Sequence, residues 1–376
     1  MSKPDERYME ETIERYLATI DVEPLLAVND DIAAEPAATY GETPKEYHTI
    51  PNKFYRPKLA LVPEELAAFV KSTQPREWNK LVERTGGENQ AMLRLAERVS
   101  KEIDQHGTIK VLRMEKVDAG EGAYVRLMYN HPASDKTPEL IELYGKNRLG
   151  VMRQVHYSEQ DTKLSIDMAI FLNGLPIITL ELKNELTGQT HHNAIKQYMC
   201  NRKVKGEKLL ESDKKKGIFR CLVHFAVGTE QVFMTTMLDG KDTYFLPYNK
   251  TFTNHGVESD GYRTDYLWKD VLRRDSILDL VSYYINVHTE TKKVFDKKTE
   301  QLVEKKSTAL IFPRWHQRRA VQRLIKDIQK RGSGHNYLIQ HSAGSGKSHT
   351  ITWLTYRLQV FINIFQMRKH CLTVLS

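Results

Sequence analysis

Apolar residues recur along this chain with two periods, and the switches between them divide it into elements. From Asp5 to Ile20, Met9, Ile13, Tyr16, Leu17 and Ile20 fall on one face at helical spacing, which predicts an amphipathic helix docked on a core. Residues 21–60, rich in Pro, Ala and acidic groups, read as an irregular crossing segment. A second helical region starts at Val62-Pro63 and runs, broken at Gly86-Gly87, to about Gln105. From Gly107 to Val155 the pattern shifts toward period two: TIKVLRM, AYVRLMY and VMRQVHY carry β-branched or aromatic residues and predict strands.

SIDMAIFL and PIITLELK follow, separated by Asn173-Gly174, the strongest hairpin signal in the chain. Thr190 to Cys200 reads as a helix, IFRCLVHFAV as a buried strand, QVFMTTML as another strand and Leu267 to Val287 as a helix. The lysine-rich stretch 289–307 is the expected linker. Beyond it PRWHQRRAVQRLIKDIQK reads as a helix, NYLIQ as a short strand and SHTITWLTYRLQVFI as a helix. The expected domains are thus 1–288, the linker 289–307, and 308–376.

Chemistry enters in the central hairpin, where Asp167 lies on one strand and Glu181 and Lys183 on the next. Phosphodiester hydrolysis calls for oxygen ligands that hold Mg²⁺, a hard ion that takes carboxylate, carbonyl and water. The metal lowers the pKa of an attacking water, and a nearby lysine orients that water and offsets growing negative charge. Asp167, Glu181 and the Leu182 carbonyl are the candidate metal ligands, and Lys183 the positioning cation. Glu181 and Lys183, two apart, share a strand face, while Ile178, Leu180 and Leu182 point to the other. A tight two-residue turn without a bulge pairs Asp167 with Leu180 and puts the acids on opposite faces. The metal site therefore predicts a shifted register, from a three-residue loop or one bulge. The bland alternative is a hairpin whose charges face water.

The run HSAGSGKSHT (341–350) follows an apolar segment and opens a helix, the context of a phosphate-binding loop. Gly344, Ser345 and Gly346 would curve backbone N–H groups around phosphate oxygens, Lys347 would reach the β- and γ-phosphates, and Ser348 would ligate Mg²⁺. The helix start adds its dipole. His341 stands where such loops usually have Gly or Ala. ATP and Mg²⁺ are therefore the expected cofactors. His191-His192 reads as an exposed helix start rather than a metal pair, and Trp353, Tyr356 and Phe361 as packing of the last helix.

Composition narrows this picture without deciding it. The 376 residues, 40% hydrophobic and 28% charged, carry a net charge of +8, with basic runs at 201–208, 213–217 and 292–306. Such charge suits nucleic-acid phosphates, although lysine runs are commonly plain solvated surface. No apolar run of 18 or more occurs, the N-terminus lacks a signal peptide's apolar core, and the three cysteines are far apart. A cytoplasmic location is expected.

The stretch YGKNRLGVMRQVHYSEQDTKLSIDMAIFLNGLPIITLELKN resembles the nuclease domain of the restriction (R) subunit of type I restriction–modification enzymes. The resemblance extends through LVHFAVGTEQVFMTT, TYFLPYNK and LIFPRWHQRRAV to HNYLIQHSAGSGKS, roughly residues 100 to 355. It implies an α/β fold: a restriction-endonuclease-like PD-(D/E)xK mixed-sheet core, followed by the start of a RecA-like P-loop helicase domain. It also implies Asp167, Glu181 and Lys183 as the magnesium-dependent cleavage site, double-stranded DNA as substrate, and methylation (M) and specificity (S) subunits as partners. In that family a glutamine and a tyrosine are spaced along the following helix, whereas Gln197 and Tyr198 are adjacent here. An upstream helical acid, Glu10 or Glu14, is a candidate assistant. Phe312 to Gln317 resembles the adenine-recognising motif of superfamily 2 helicases, with Gln317 reading the adenine edge and Phe312 or Trp315 stacking nearby.

The family continues through two helicase lobes, but residues 349–376 contain no Asp or Glu to serve as the second acid of an ATPase. The expectation is a truncated chain, with a frameshift near residue 360 as its source. Three functions follow: a cleaving R subunit coupled to ATP-driven translocation, a truncated remnant that binds DNA or partner subunits without ATPase activity, or a stand-alone nuclease whose loop only binds nucleotide.

Overall fold

The computed structural model describes residues 6–21, 45–132, 137–251, 254, 262–296, 301–332 and 334–359. The expectations about the tail after residue 359, including Phe361 and Cys371, and about much of the segment 21–60 lie outside these residues.

The Asn173-Gly174 hairpin organises the sheet. Its strands, Ser165–Leu172 (β3) and Leu175–Leu182 (β4), are buried almost end to end. A strand covered on both faces loses the polar–apolar alternation, which accounts for the nearly continuous apolar runs. Outward from this pair lie Tyr47–Thr49 (β1) and Leu149–His156 (β2) on one side, and Val223–Val227 (β5), Val232–Thr235 (β6) and Leu246–Pro247 (β7) on the other. The spatial order equals the chain order. The pairings β1–β2 and β4–β5 are parallel and the rest antiparallel, so the sheet is mixed. This is an α/β mixed-sheet domain.

The turn is tight, yet the register is the shifted one. Leu172 pairs with Leu175 and Phe171 with Pro176, then a bulge intervenes and Ile170 pairs with Ile178, Ala169 with Thr179 and Met168 with Leu180. The extra residue is Ile177, whose carbonyl accepts from the Leu222 N–H at 2.8 Å. Beyond the bulge Asp167 falls opposite Glu181, and both acids lie on one face.

Helix α1 (Glu6–Thr19) lies over β1, β2 and the end of β4, burying Met9, Ile13 and Leu17 as its periodicity predicted. Helices α2 (Pro63–Thr73), α3 (Pro75–Thr85) and α4 (Glu88–His106) form the second helical region. The break between α3 and α4 is Gly86, in the left-handed conformation at φ 85°. Helix α2 starts against the hairpin tip, where the Val62 N–H donates to the Gly174 carbonyl at 2.9 Å.

Several expected elements differ. TIKVLRM is a short helix, Thr108–Arg113, because Gly107 closes α4 at φ 78° and the chain re-enters a helix at once. The predicted helix from Leu267 to Val287 is interrupted: a π-turn at Leu267–Val271, then Arg274–Asp279 continuing into a second π-turn at Leu280–Tyr284. The expected linker 289–307 is largely strand. Asn286–Asp296 (β8) pairs antiparallel with Gln301–Ile311 (β9) as a long ribbon, exposed at Val294, Phe295 and Leu302. Its lysines read as linker because a solvated ribbon has no buried face to impose alternation. NYLIQ is not a strand: the described residues from 334 to 342 have no regular structure, and Leu338 is 94% exposed. An apolar segment needs neighbouring strands to pair with.

Candidate active site

Beyond the bulge, three charged side chains converge where β3 begins and β4 ends, under α1. Asp167 and Lys183 are almost fully buried and Glu181 is completely so. Asp167 accepts the Leu182 N–H on Oδ2 at 2.8 Å, which ties one acid to the strand that carries the other. Glu181 holds a bidentate pair with Arg202, at 2.5 Å from Nε and 2.8 Å from the terminal nitrogen. The Lys183 ammonium donates to Glu6 of α1 at 2.9 Å. The sheet thus brings together the three residues that the motif singled out.

Helix α1 lines up acids at successive turns, and each meets a different partner. Glu6 takes Lys183, Glu10 accepts from Gln154 Nε2 at 2.7 Å, and Glu14 pairs with Arg153 at 2.8 Å. Of the two upstream candidates, Glu10 belongs to the cluster, since it is buried and feels the Asp167 charge. Burial, then Asp167, raises its carboxyl to about 7. Burial, then Asp167, also pushes Glu181 well above the usual carboxylate range, against the pull of Arg202 and Lys183. Like charges that cannot all be solvated favour either protons or a cation among them.

Gln154 was not legible as a site residue. It sits on β2 between the pairs Arg153–Met168 and Val155–Ile166, with φ 50°, so it faces Asp167 from a strained backbone. Its side chain links Glu10 to Ser165, whose Oγ donates to Gln154 Oε1 at 3.0 Å. Arg202 was also missed, because it follows the helix by a turn and has no motif spacing to β4. No local sequence signal would have found either residue.

The helix after β4, His191–Lys196, runs into a π-turn at Gln197–Asn201. The two adjacent residues diverge there. Tyr198 turns inward and its hydroxyl shares a hydrogen bond with Thr179 at 2.9 Å. Thr179 in turn meets His224 Nδ1 at 2.6 Å. Gln197 faces out and lines an open cleft of about 370 Å³ with Lys183, Gln189, Asn193, Lys196 and Asn201. Amides and ammoniums suit phosphate oxygens. The expectation for His191-His192 needs correction: His191 is buried and stacks on Phe233 at 4.8 Å, and the two rings lie 4.1 Å apart. The Phe233 ring covers His191, and burial lowers its pKa to about 4.

The donor set of Asp167, Glu181 and the Leu182 backbone suits a hard divalent ion in type. Among the described residues no group of three or more His, Cys, Asp or Glu side chains is arranged to hold a metal. A metal here therefore depends on two carboxylates and a carbonyl, with Arg202 moved off Glu181.

Farther along, helix α5 (Trp315–Arg331) precedes the glycine-rich loop. Gly344 and Gly346 adopt φ 70° and 80°, and a helix runs over 347–359. Lys347 donates to the carbonyls of His341 (3.3 Å) and Ser342 (3.0 Å), curling the loop on itself. Lys347 and Ser348 are exposed and Ser345 is buried. Gln317 is 5% exposed and lies beneath the loop. Its Nε2 donates to the Ser345 and Gly346 carbonyls, at 3.1 and 3.0 Å, and its Oε1 accepts the Arg314 N–H at 2.8 Å. The amide is thus engaged with the loop. Phe312 and Trp315 are buried against Tyr248 and Tyr266. Trp353 is buried as expected, packed on Tyr284, but Tyr356 is 60% exposed, contrary to its expected packing role, because it lies on the outer side of the helix.

Residues 63–246 match the family "Type I restriction enzyme R protein N terminus". The matched span runs from the start of α2 to the first residue of β7 and includes Asp167, Glu181 and Lys183. The N-terminal region of the chain thus matches the R-subunit family of type I restriction enzymes. Over 222 residues it is 25% identical to a protein of Methanocaldococcus jannaschii named as the endonuclease subunit of type I restriction enzyme MjaVIIIP. Over 194 residues it is 26% identical to the protein so named for MjaVIIP in the same organism. These alignments cover 59% and 50% of this chain but 19% and 16% of the relatives. Among the described residues no helix is long and apolar enough to cross a membrane.

Proposed function

We propose that the mixed sheet carries a magnesium-dependent DNA-cleaving centre of the PD-(D/E)xK kind, and that the glycine-rich loop of this chain does not turn over ATP. The observation that carries the first half is the bulged register, which puts Asp167 and Glu181 side by side with Lys183 on one face. Mg²⁺, bound by Asp167, Glu181 and the Leu182 carbonyl, would polarise the scissile phosphate and acidify a water. Lys183 would orient that water and offset charge on the phosphate. Glu10, buried beside Asp167 on the face of α1 toward the cluster, would accept the water's proton. The amide- and lysine-lined cleft would guide the DNA backbone toward Lys183. The partners are double-stranded DNA and the methylation and specificity subunits of a type I complex.

The second half rests on the loop's surroundings. The described residues before the loop, 334–342, form no strand that could seat it on a RecA-like sheet. The curl can bind phosphate through Gly344 to Ser348, with Gln317 bracing it and adenine recognition following only if that amide is released. A second reading is a domain that binds DNA or partner subunits and cleaves nothing. The bidentate Arg202–Glu181 pair, which occupies the oxygens that a metal would need, favours it.

The test is cleavage of supercoiled and linear duplex DNA by this chain with Mg²⁺, against Glu181→Ala, with ATP hydrolysis followed in parallel. We expect Mg²⁺-dependent nicking that EDTA abolishes and that the variant loses by at least about 100-fold, with no ATP turnover. Equal cleavage by both proteins removes the proposed centre. No cleavage by either, with retained DNA binding, leaves the binding-only reading and cleavage that needs the partner subunits.

A further inference from the structure

Arg202 is the least expected member of the cluster. It stands directly after the π-turn Gln197–Asn201, and its guanidinium covers both oxygens of Glu181. Its side chain is 9% exposed against 0% for Glu181, so the pair is shut away from water. A fork-on-carboxylate pair uses the acceptor positions that a metal would need. Two neighbouring acids, Asp167 and Glu10, crowd the same cluster, where Arg202 is the cation seated on Glu181. The chain that carries Arg202 also borders the cleft: Gln197 and Asn201, five and one residues before it, both line the opening that leads to Lys183.

We propose that Arg202 is an exchangeable cation of the cleavage centre, holding Glu181 until a divalent ion enters and then serving as a ligand for the DNA phosphate in the adjoining cleft. The inference rests on the proposed metal reading of Asp167 and Glu181. A buried carboxylate without a partner is costly, so the metal-free fold needs a resident cation at Glu181. Entry of the metal replaces one positive partner by another and releases the guanidinium beside a surface already suited to phosphate. The exchange couples metal binding to substrate binding: Arg202 weakens the ion's hold without DNA and rewards it when a phosphate is present to receive the displaced arginine.

The experiment measures Mn²⁺ affinity by calorimetry without DNA, and short-duplex affinity in Ca²⁺ and in EDTA. The proteins are the parent chain, Arg202→Gln, Arg202→Lys and Asp167→Asn. Arg202→Gln should bind Mn²⁺ about 10-fold more tightly, since a competing charge is gone while the amide can still bond Glu181. It should bind duplex several-fold more weakly in Ca²⁺ with no change in EDTA. Arg202→Lys, which keeps the charge but loses the fork, should fall between. Mn²⁺ affinity equal to the parent's overturns the exchange, and unchanged duplex affinity in Ca²⁺ overturns the phosphate role. Failure of the underlying metal reading looks different: Asp167→Asn would then leave Mn²⁺ binding intact.

Discussion

Thr179 and His224 illustrate how individual side chains carry the site without appearing in any motif. Thr179 lies two residues before Glu181 on the same face of β4, and its hydroxyl bridges Tyr198 and His224. His224 is wholly buried, and burial lowers its pKa from 6.5 to about 3. The unfolded chain therefore takes up a proton below about pH 6.5 that the folded chain refuses until about pH 3. Stability present above pH 6.5 is lost as pH falls through that window, by about 1.4 kcal/mol per pH unit for one full proton. His191, lowered to about 4 by burial, adds to the same acid limb. Replacing His224 with Asn should flatten the dependence between pH 6 and 4 in urea titrations. A slope identical to the parent's would show that His224 is not excluded from titration.

The hairpin β3–β4 shows why a motif is not yet a site. Its turn residues, Asn173 at φ 51° and Gly174 at φ 85°, suit the tight left-handed turn that the dipeptide signals. Asn173 is fully buried, donating to the Leu127 carbonyl and accepting the Arg148 N–H. A Cβ on Gly174 would meet the Val62 carbonyl at 2.6 Å and the Leu66 nitrogen at 2.8 Å, both backbone atoms. Gly174→Ala should therefore cost about 2–4 kcal/mol, combining left-handed strain with overpacking against α2. Chemical denaturation checks this, and a loss below 1 kcal/mol would mean that α2 does not clamp the tip. The dipeptide was legible as a turn. The shift in register was legible only as a condition that the chemistry imposed, since no residue near Ile177 announces a bulge. What holds Ile177 out of register is its carbonyl bond to Leu222, more than forty residues away.

Across the whole molecule, the segment around the glycine-rich loop is docked on the sheet domain rather than tethered to it. Arg318, 2% exposed, pairs with Asp270 at 3.2 Å and donates to Ser276 at 2.7 Å. Trp353 donates its indole N–H to the Tyr284 carbonyl at 2.8 Å, and Arg357 meets Asp279 at 2.9 Å. Arg318→Met should destabilise the chain by about 2–3 kcal/mol. That is less than for a fully buried pair, because Asp270 is a third exposed. If unfolding of the variant splits into two transitions, the docking also sets cooperativity; an unchanged midpoint would show that Arg318 bears no load.

By itself the sequence determined the local elements whose periodicity or turn chemistry is strong: α1, the hairpin, the glycine-rich curl, and the identity of Asp167, Glu181 and Lys183 as a candidate set. Those features depend on neighbours within a few residues, where side-chain spacing and backbone preference act directly. The fold decided what depends on distant partners. It turned TIKVLRM into a helix and the supposed linker into a ribbon, set Arg202 on Glu181, placed Gln154 opposite Asp167 and turned Gln317 beneath the loop. The Arg202, Gln154 and Gln317 contacts join separate elements of the chain, and no spacing rule encodes which buried polar group will find which partner. Burial makes an unpaired partner costly, so the tertiary structure, not the motif, fixes the company that the two acids keep.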